Sequence, residues 1–293
     1  MTDQEKKETA ITGGEQLWLT AADGTRLRAV LIGDPTDTGT LALLVPGFTG
    51  HADTPAVRRT AARLARRFPV LVLELRGHGG SSGGTTLGAE EPLDVDAALA
   101  WARRRGVRRL AAVGFSLGGS VVLCQAGLAA RRGGPRPDAV VAVSAPSRWY
   151  IRDTPVMRRL HPVVETTGGR LVARFGLRVR VGARWADMPP SPLELVGNIP
   201  PTPLLLVHGD RDSYFPVEHP HMLAAAAGPG AELRIVPGFG HAENALTPTL
   251  VDELGDWLAA TFERLADPVV DPLAEPQTPE DPGGVAPCGT IEG

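Results

Sequence analysis

Ser116 sits in Gly114-Phe115-Ser116-Leu117-Gly118-Gly119, between a short apolar run, Leu110–Val113, and a longer one from Ser120 to Leu128. That pattern reads as a buried strand bending sharply into a helix. A serine on such a bend has a strained backbone and an outward hydroxyl, and the flanking glycines let strand and helix approach. A hydroxyl is a weak nucleophile until a neighbouring base takes its proton, and the base needs a group to orient it. The seven histidines offer few candidates for the base. His241, in Pro237-Gly238-Phe239-Gly240-His241-Ala242-Glu243, follows the last apolar strand and precedes the C-terminal helix. Asp210 and Asp212 follow the preceding strand, in Val207-His208-Gly209-Asp210-Arg211-Asp212. Serine, acid and histidine thus occur in that order, each just after a separate strand, and parallel strands bring such loops to one edge.

Other groups of the same types suit quieter roles. Gly-x-Ser-x-Gly also matches at Gly79–Gly83 and at Gly80–Gly84, but no helix follows, so that glycine-serine run reads as a flexible loop. His78 and His208 suit the holding of turns. His219-Pro220-His221 after Glu218 lacks a third clear ligand and reads as a solvated loop, so no metal and no cofactor are expected.

The elements that must position the serine follow from periodicity. Glu15–Thr20 and Thr25–Ile32 alternate about a turn at Ala21-Ala22-Asp23-Gly24, the pattern of an antiparallel hairpin. A continuous apolar run follows at Leu41–Val45, as in a strand covered on both faces, and further strands read at Val70–Leu73, Leu110–Val113, Ala139–Val143, Leu204–Val207 and Leu233-Arg234-Ile235-Val236. Asp53-Thr54-Pro55 offers a cap and a first-turn proline for a helix to Arg67. Further helices are predicted over about 90–105, 117–131 and 248–265. Alternating strands and helices imply α/β architecture: a mainly parallel eight-stranded sheet with helices on both faces.

Residues 147–199 interrupt that rhythm with 53 residues between two strands, too many for a simple crossover. They carry nine arginines against four acids, and the aromatic residues Trp149, Tyr150, Phe175 and Trp185. A cap folded over the strand ends is expected, with Trp149, Tyr150, Met157 and Trp185 as candidate substrate contacts. The expected organisation is a disordered leader over 1–14, a core of 15–146 and 200–266, the cap, and a disordered proline-rich acidic tail over 267–293.

The motifs together resemble those of α/β-hydrolase-fold serine hydrolases, and are similar to the branch of esterases, monoacylglycerol lipases and S33-type serine aminopeptidases. The resemblance covers about residues 15–265. It rests on Val45-Pro46-Gly47-Phe48-Thr49-Gly50, Arg76-Gly77-His78-Gly79-Gly80-Ser81, the turn at Ser116, His208–Asp212 and Gly240-His241. In the family the first motif often begins with His, where Pro46 stands here; the donor at that site is a backbone amide. The resemblance implies Ser116 as nucleophile, His241 as general base and then acid, and Asp212, favoured over Asp210 by family spacing, as its partner. It implies an oxyanion hole from the backbone N–H groups of Phe48 and Leu117. It also implies cleavage of carboxylic esters or thioesters through an acyl-enzyme. A serine aminopeptidase or amidase is the alternative, but its substrate's free amino end calls for clustered carboxylates, and Asp153, Glu165, Asp187 and Glu194 form no cluster in sequence. A catalytically silent binding protein of this fold usually lacks a triad member, and none is missing here.

Composition bounds the partners. A net charge of −3 over 293 residues gives no reason to expect nucleic acid, and a small-molecule acyl ester is the expected ligand. No apolar run is long enough to span a membrane, although the arginine-rich cap would suit weak contact with an anionic membrane surface. Met1–Glu8 lacks the character of a secretory signal. Cys124, expected as a small core residue, and Cys288 in the tail are poorly placed to bridge, so a cytoplasmic location is expected. Oligomeric state leaves no trace in the sequence.

Overall fold

The computed structural model describes residues 14–266. The expectation for the tail, Cys288 included, lies outside the described residues, as does all of the leader except Gly14. Eight strands form one sheet: β1 (Glu15–Thr20), β2 (Arg26–Ile32), β3 (Thr40–Val45), β4 (Val70–Leu73), β5 (Arg109–Phe115), β6 (Ala139–Val143), β7 (Leu204–Gly209) and β8 (Ala231–Val236). Their spatial order is β1-β2-β4-β3-β5-β6-β7-β8. β1 pairs antiparallel with β2 and β2 with β4, while every later pairing is parallel. The chain has the α/β-hydrolase fold.

Alternation along the strands sends side chains to two cores. Leu41, Leu43 and Val45 of β3 join one, while Ala42 and Leu44 join the other. The first core is covered by α3 (Glu91–Arg104), α4 (Leu117–Arg132) and α8 (Glu218–Ala227). The second is covered by α2 (Pro55–Leu64), the four-residue α9 (Ala242–Ala245) and α10 (Pro248–Ala266), through residues such as Val57, Leu64, Ala242, Leu254 and Leu258. Both faces are therefore dry over β3 to β7, which is why those strands read as apolar runs, while the edge strand β8, which carries Glu232 and Arg234, is only partly covered. A four-residue helix, α1 (Pro35–Thr38), joins β2 to β3.

Three local features differ from the expectations. Pro55 opens α2 as predicted, but the Thr54 hydroxyl donates to the His51 carbonyl (2.7 Å) instead of accepting a helix N–H. The glycine-serine run after β4 is tied down rather than loose. Ser81 is buried, its hydroxyl donating to the Glu74 carbonyl (2.6 Å) and accepting from the Arg28 N–H (2.8 Å). The third is His219-Pro220-His221, which lies in the first turn of α8 with His219 buried. Proline is tolerated in a first turn because the N–H it lacks has no helical partner there.

Between β6 and β7 the chain forms α5 (Pro155–Glu165), α6 (Thr167–Gly176) and the short α7 (Pro192–Leu195). The stretch after α6 returns to the sheet by backbone pairing with the glycine-rich loop. Arg180 donates to the Gly77 carbonyl (2.8 Å) and accepts from Thr85 (2.7 Å), and Gly182 donates to Thr85 (2.8 Å). Leu171, Val172 and Phe175 of α6 are exposed, Phe175 at 76%. No helix of the described residues is long and apolar enough to cross a membrane.

Candidate active site

β5 and α4 meet at Ser116, whose φ of 51° and ψ of −118° lie outside the ordinary helix and strand regions. Backbone of that kind is strained for a residue with a Cβ and is found where the surrounding structure over-determines it. The surroundings here are glycines. A Cβ on Gly114 would meet the Gly118 carbonyl, and one on Gly118 would meet the carbonyls of Val45 and Pro46. The bend exists because strand, helix and the β3 loop can all touch backbone to backbone.

The loops after β7 and β8 bring the acid and the base. His241 Nε2 lies 3.0 Å from Ser116 Oγ, and His241 Nδ1 lies 2.8 Å from Asp212 Oδ2. An ionised carboxylate only accepts, so Nδ1 carries the ring proton and Nε2 is left to accept from the serine hydroxyl. The other oxygen of Asp212 accepts from the N–H groups of Tyr214 (2.8 Å) and Phe215 (3.1 Å). Burial acts to raise the Asp212 carboxyl, but its hydrogen bond to His241 and the two backbone donors outweigh burial and hold it below the usual carboxylate range. Tyr214 stacks on the His241 ring with centroids 4.1 Å apart, and Phe215 meets it edge-on. The ring is thus fixed by hydrogen bonding along its edge and by packing on its faces.

Asp210 is turned elsewhere, accepting from the Gly238 N–H (2.6 Å). His208 donates through Nε2 to the Phe215 carbonyl (2.9 Å), and burial keeps its pKa low, so it stays neutral beside Asp212. His78 is buried with Nδ1 donating to the Arg76 carbonyl (3.0 Å). His219 accepts through Nδ1 from the Ser147 N–H (3.1 Å), and burial with nearby Arg148 pushes its pKa down to about 4. Cys124 is buried in α4, and burial pushes its thiol pKa up.

Ser116, His241, Phe48 and Leu117 all line one cavity of about 700 Å³. So do Trp149, Tyr150, Met157 and Trp185, each drawn from residues 147–199. Trp149 is buried, its indole donating to the carbonyls of Pro189 and Pro190, and the Trp185 indole donates to the Thr86 carbonyl. Leu117 opens α4, and the first N–H groups of a helix have no helical partner.

Sequence reasoning missed two neighbours of the site. Tyr214 gave no signal beyond following Asp212. Glu243, two residues after His241, is buried and accepts from the Gly47 N–H (3.1 Å), so it links the His241 loop to the loop carrying Phe48. His51, Asp53 and Glu74 approach one another closely enough to suggest a cation site. The Arg28 guanidinium already fills that role, at 2.8 Å from Asp53 and 2.6 Å from Glu74.

Residues 42–165 match the profile of the α/β hydrolase fold family. Among solved structures, an esterase from Pyrococcus furiosus superposes with a TM-score of 0.64 at 20% identity, over 90% of this chain and 96% of that one. An esterase from a Rhodococcus species gives 0.64 at 21% identity, over 84% and 99%. A serine hydrolase without a lid from Xanthomonas campestris gives 0.55 at 19% identity, over 88% and 98%. No curated protein sequence matches.

Proposed function

From an α/β-hydrolase fold in which Ser116, Asp212 and His241 follow three of the strands, we propose that this chain is a serine hydrolase cleaving carboxylic esters or thioesters. The observation that carries the reading is the unbroken hydrogen-bonded path from Asp212 through His241 to Ser116 Oγ. In this reading Ser116 Oγ attacks the substrate carbonyl carbon as its proton passes to His241 Nε2. The carbonyl oxygen becomes an oxyanion facing the N–H groups of Phe48 and Leu117, where each donor is worth about 2.7–4 kcal/mol of transition-state stabilisation. Collapse breaks the bond to the alcohol or thiol, which leaves with the proton from His241, and Ser116 keeps the acyl group. Water then attacks the acyl-enzyme, gives its proton to His241, and the acid departs as Ser116 recovers its hydrogen. Asp212 holds the ring in the required tautomer and stabilises the imidazolium at each transfer. Residues 147–199 act as a cap that shapes what reaches Ser116.

The test is labelling by a fluorophosphonate probe, paired with turnover of ester, thioester and aminoacyl-arylamide substrates. Ser116→Ala and His241→Ala are each expected to lower ester turnover by ~10^4-fold or more with the melting temperature retained. Labelling should vanish in Ser116→Ala. A folded wild-type protein that takes no label is a binding protein instead, and arylamide turnover without ester turnover makes it an aminopeptidase.

A further inference from the structure

The charged lining of the cavity is unbalanced. Arg148, Arg152, Arg170 and Arg184 face it against Glu165 and Glu243. Both glutamates are committed. Glu165 accepts from Arg152 (2.7 and 2.8 Å) and bonds His161 (2.9 Å), while Glu243 accepts from the Gly47 N–H. Arg148 pairs with Asp153 at 2.8 Å. That leaves Arg170 and Arg184, neither of which meets a carboxylate among the described residues.

These two are held together by an unusual anchor. Arg170 Nε donates to the Val164 carbonyl (2.9 Å) and an Arg184 terminal nitrogen to the Glu165 carbonyl (2.7 Å). The acceptors are consecutive carbonyls at the end of α5, where the last turn lacks helical partners. Capping explains one N–H of each side chain. It does not neutralise them, because a helix end carries only about half a negative charge against two guanidinium charges. Further donors of each fork stay unused, on residues that line the same cavity as Ser116. Guanidinium forks match the planar oxygen pairs of carboxylate and phosphate.

We propose that the substrate is an ester bearing a carboxylate or phosphate away from the scissile bond, and that Arg170 and Arg184 bind this anion while the ester lies at Ser116. This rests on the serine-hydrolase reading above and adds the charge class of its substrate. An anion there gains two charge-assisted contacts, and the one to half-buried Arg170 is screened less than the one to exposed Arg184. A neutral ester of equal size leaves both positive charges without a carboxylate or phosphate partner.

The test is a matched series: nitrophenyl half-esters of dicarboxylic acids of increasing length against the same molecules with the distal acid methylated, and a monoacylglycerol phosphate against the plain monoacylglycerol. At low salt, kcat/KM is expected to favour the anionic member by about tenfold or more at one length, shrinking as salt rises. The Arg170→Gln, Arg184→Gln double substitution should draw the anionic-to-neutral ratio toward one. Preference in the dicarboxylate arm alone assigns a carboxylate, and in the lipid arm alone a phosphate. A ratio of one or below in the wild type, or a ratio that survives the double substitution, overturns the proposal. Hydrolysis of neither member, with no probe labelling, strikes the serine-hydrolase reading instead.

Discussion

The turn at Ser116 and the insertion above it build one cavity by opposite means. In β5 six of seven residues are buried, and in α4 twelve of sixteen. α5 has no fully buried residue, and α6 has only Ala173. Around Ser116 nearly every atom has a packing partner, so position is over-determined and strain can be stored. In the insertion a few indole hydrogen bonds, one stretch of backbone pairing and some exposed ion pairs hold the helices, and each exposed pair is worth little. Parts that must be exact to a fraction of an ångström lie in the first region. Parts proposed to select among substrates lie in the second.

Two glycines offer the sharpest way to break that contrast. Gly118→Ala would drive a Cβ into the carbonyls of Val45 and Pro46, which cannot retreat without moving β3. A loss of about 3 kcal/mol or more, or failure to fold, is expected from chemical denaturation. Gly168→Ala, in the first turn of α6, meets nothing within 4 Å. It should be neutral or stabilising by up to about 1 kcal/mol, since alanine restricts the unfolded chain and favours helix. Equal costs at the two positions would mean that the two regions do not differ in packing as described.

Glu243 tests the contrast one step from the chemistry. Its carboxylate accepts the Gly47 N–H beside Phe48, so Glu243→Ala leaves a donor unpaired at a cost of about 1–3 kcal/mol. If the loop is clamped for catalysis, kcat falls about tenfold with KM little changed, and Glu243→Gln, which keeps an accepting oxygen, recovers most of it. A fall in melting temperature with kcat intact would assign Glu243 to stability alone.

The same contrast explains what the sequence disclosed. β3, β5, β6 and β7 are dry on both faces, so their apolar runs are continuous and readable, and Ser116 and Asp212 come just after two of them; His241 follows the partly exposed β8 and was legible from its order in the chain and its glycine-rich loop. The fold follows from local period and turn chemistry, and those signals are strong where burial is complete. The Glu243–Gly47 and Arg170–Val164 bonds link a side chain to backbone, and any residue type could have supplied the backbone acceptor and any but proline the backbone donor. Such bonds leave no pattern in residue identity. The glycine-serine run misled for a related reason: its order comes from Glu74, Arg28 and Arg180, none adjacent in sequence to Ser81. His219 misled because a first-turn proline inside an otherwise polar stretch looks like a loop until the helix behind it is seen.

His219 joins the two regions, and its effect appears only as pH is lowered. It belongs to α8, packed on the sheet, and its Nδ1 accepts the N–H of Ser147 at the root of the insertion. Its pKa of about 4 in the folded protein lies below the ordinary value of about 6.5 expected when unfolded. Between those values the unfolded chain takes up a proton that the folded one refuses, so folding weakens as pH falls from about 6.5 toward about 4 and changes no further below that. Protonation of Nδ1 also replaces an acceptor with a donor facing the Ser147 N–H. His219→Gln removes the titration while keeping an accepting oxygen. The melting temperature of the wild type should therefore drop relative to His219→Gln as pH is lowered through that window. A gap between the two proteins that stays constant from pH ~7 to ~4 would show that this histidine does not tie the insertion to the sheet through its neutral form.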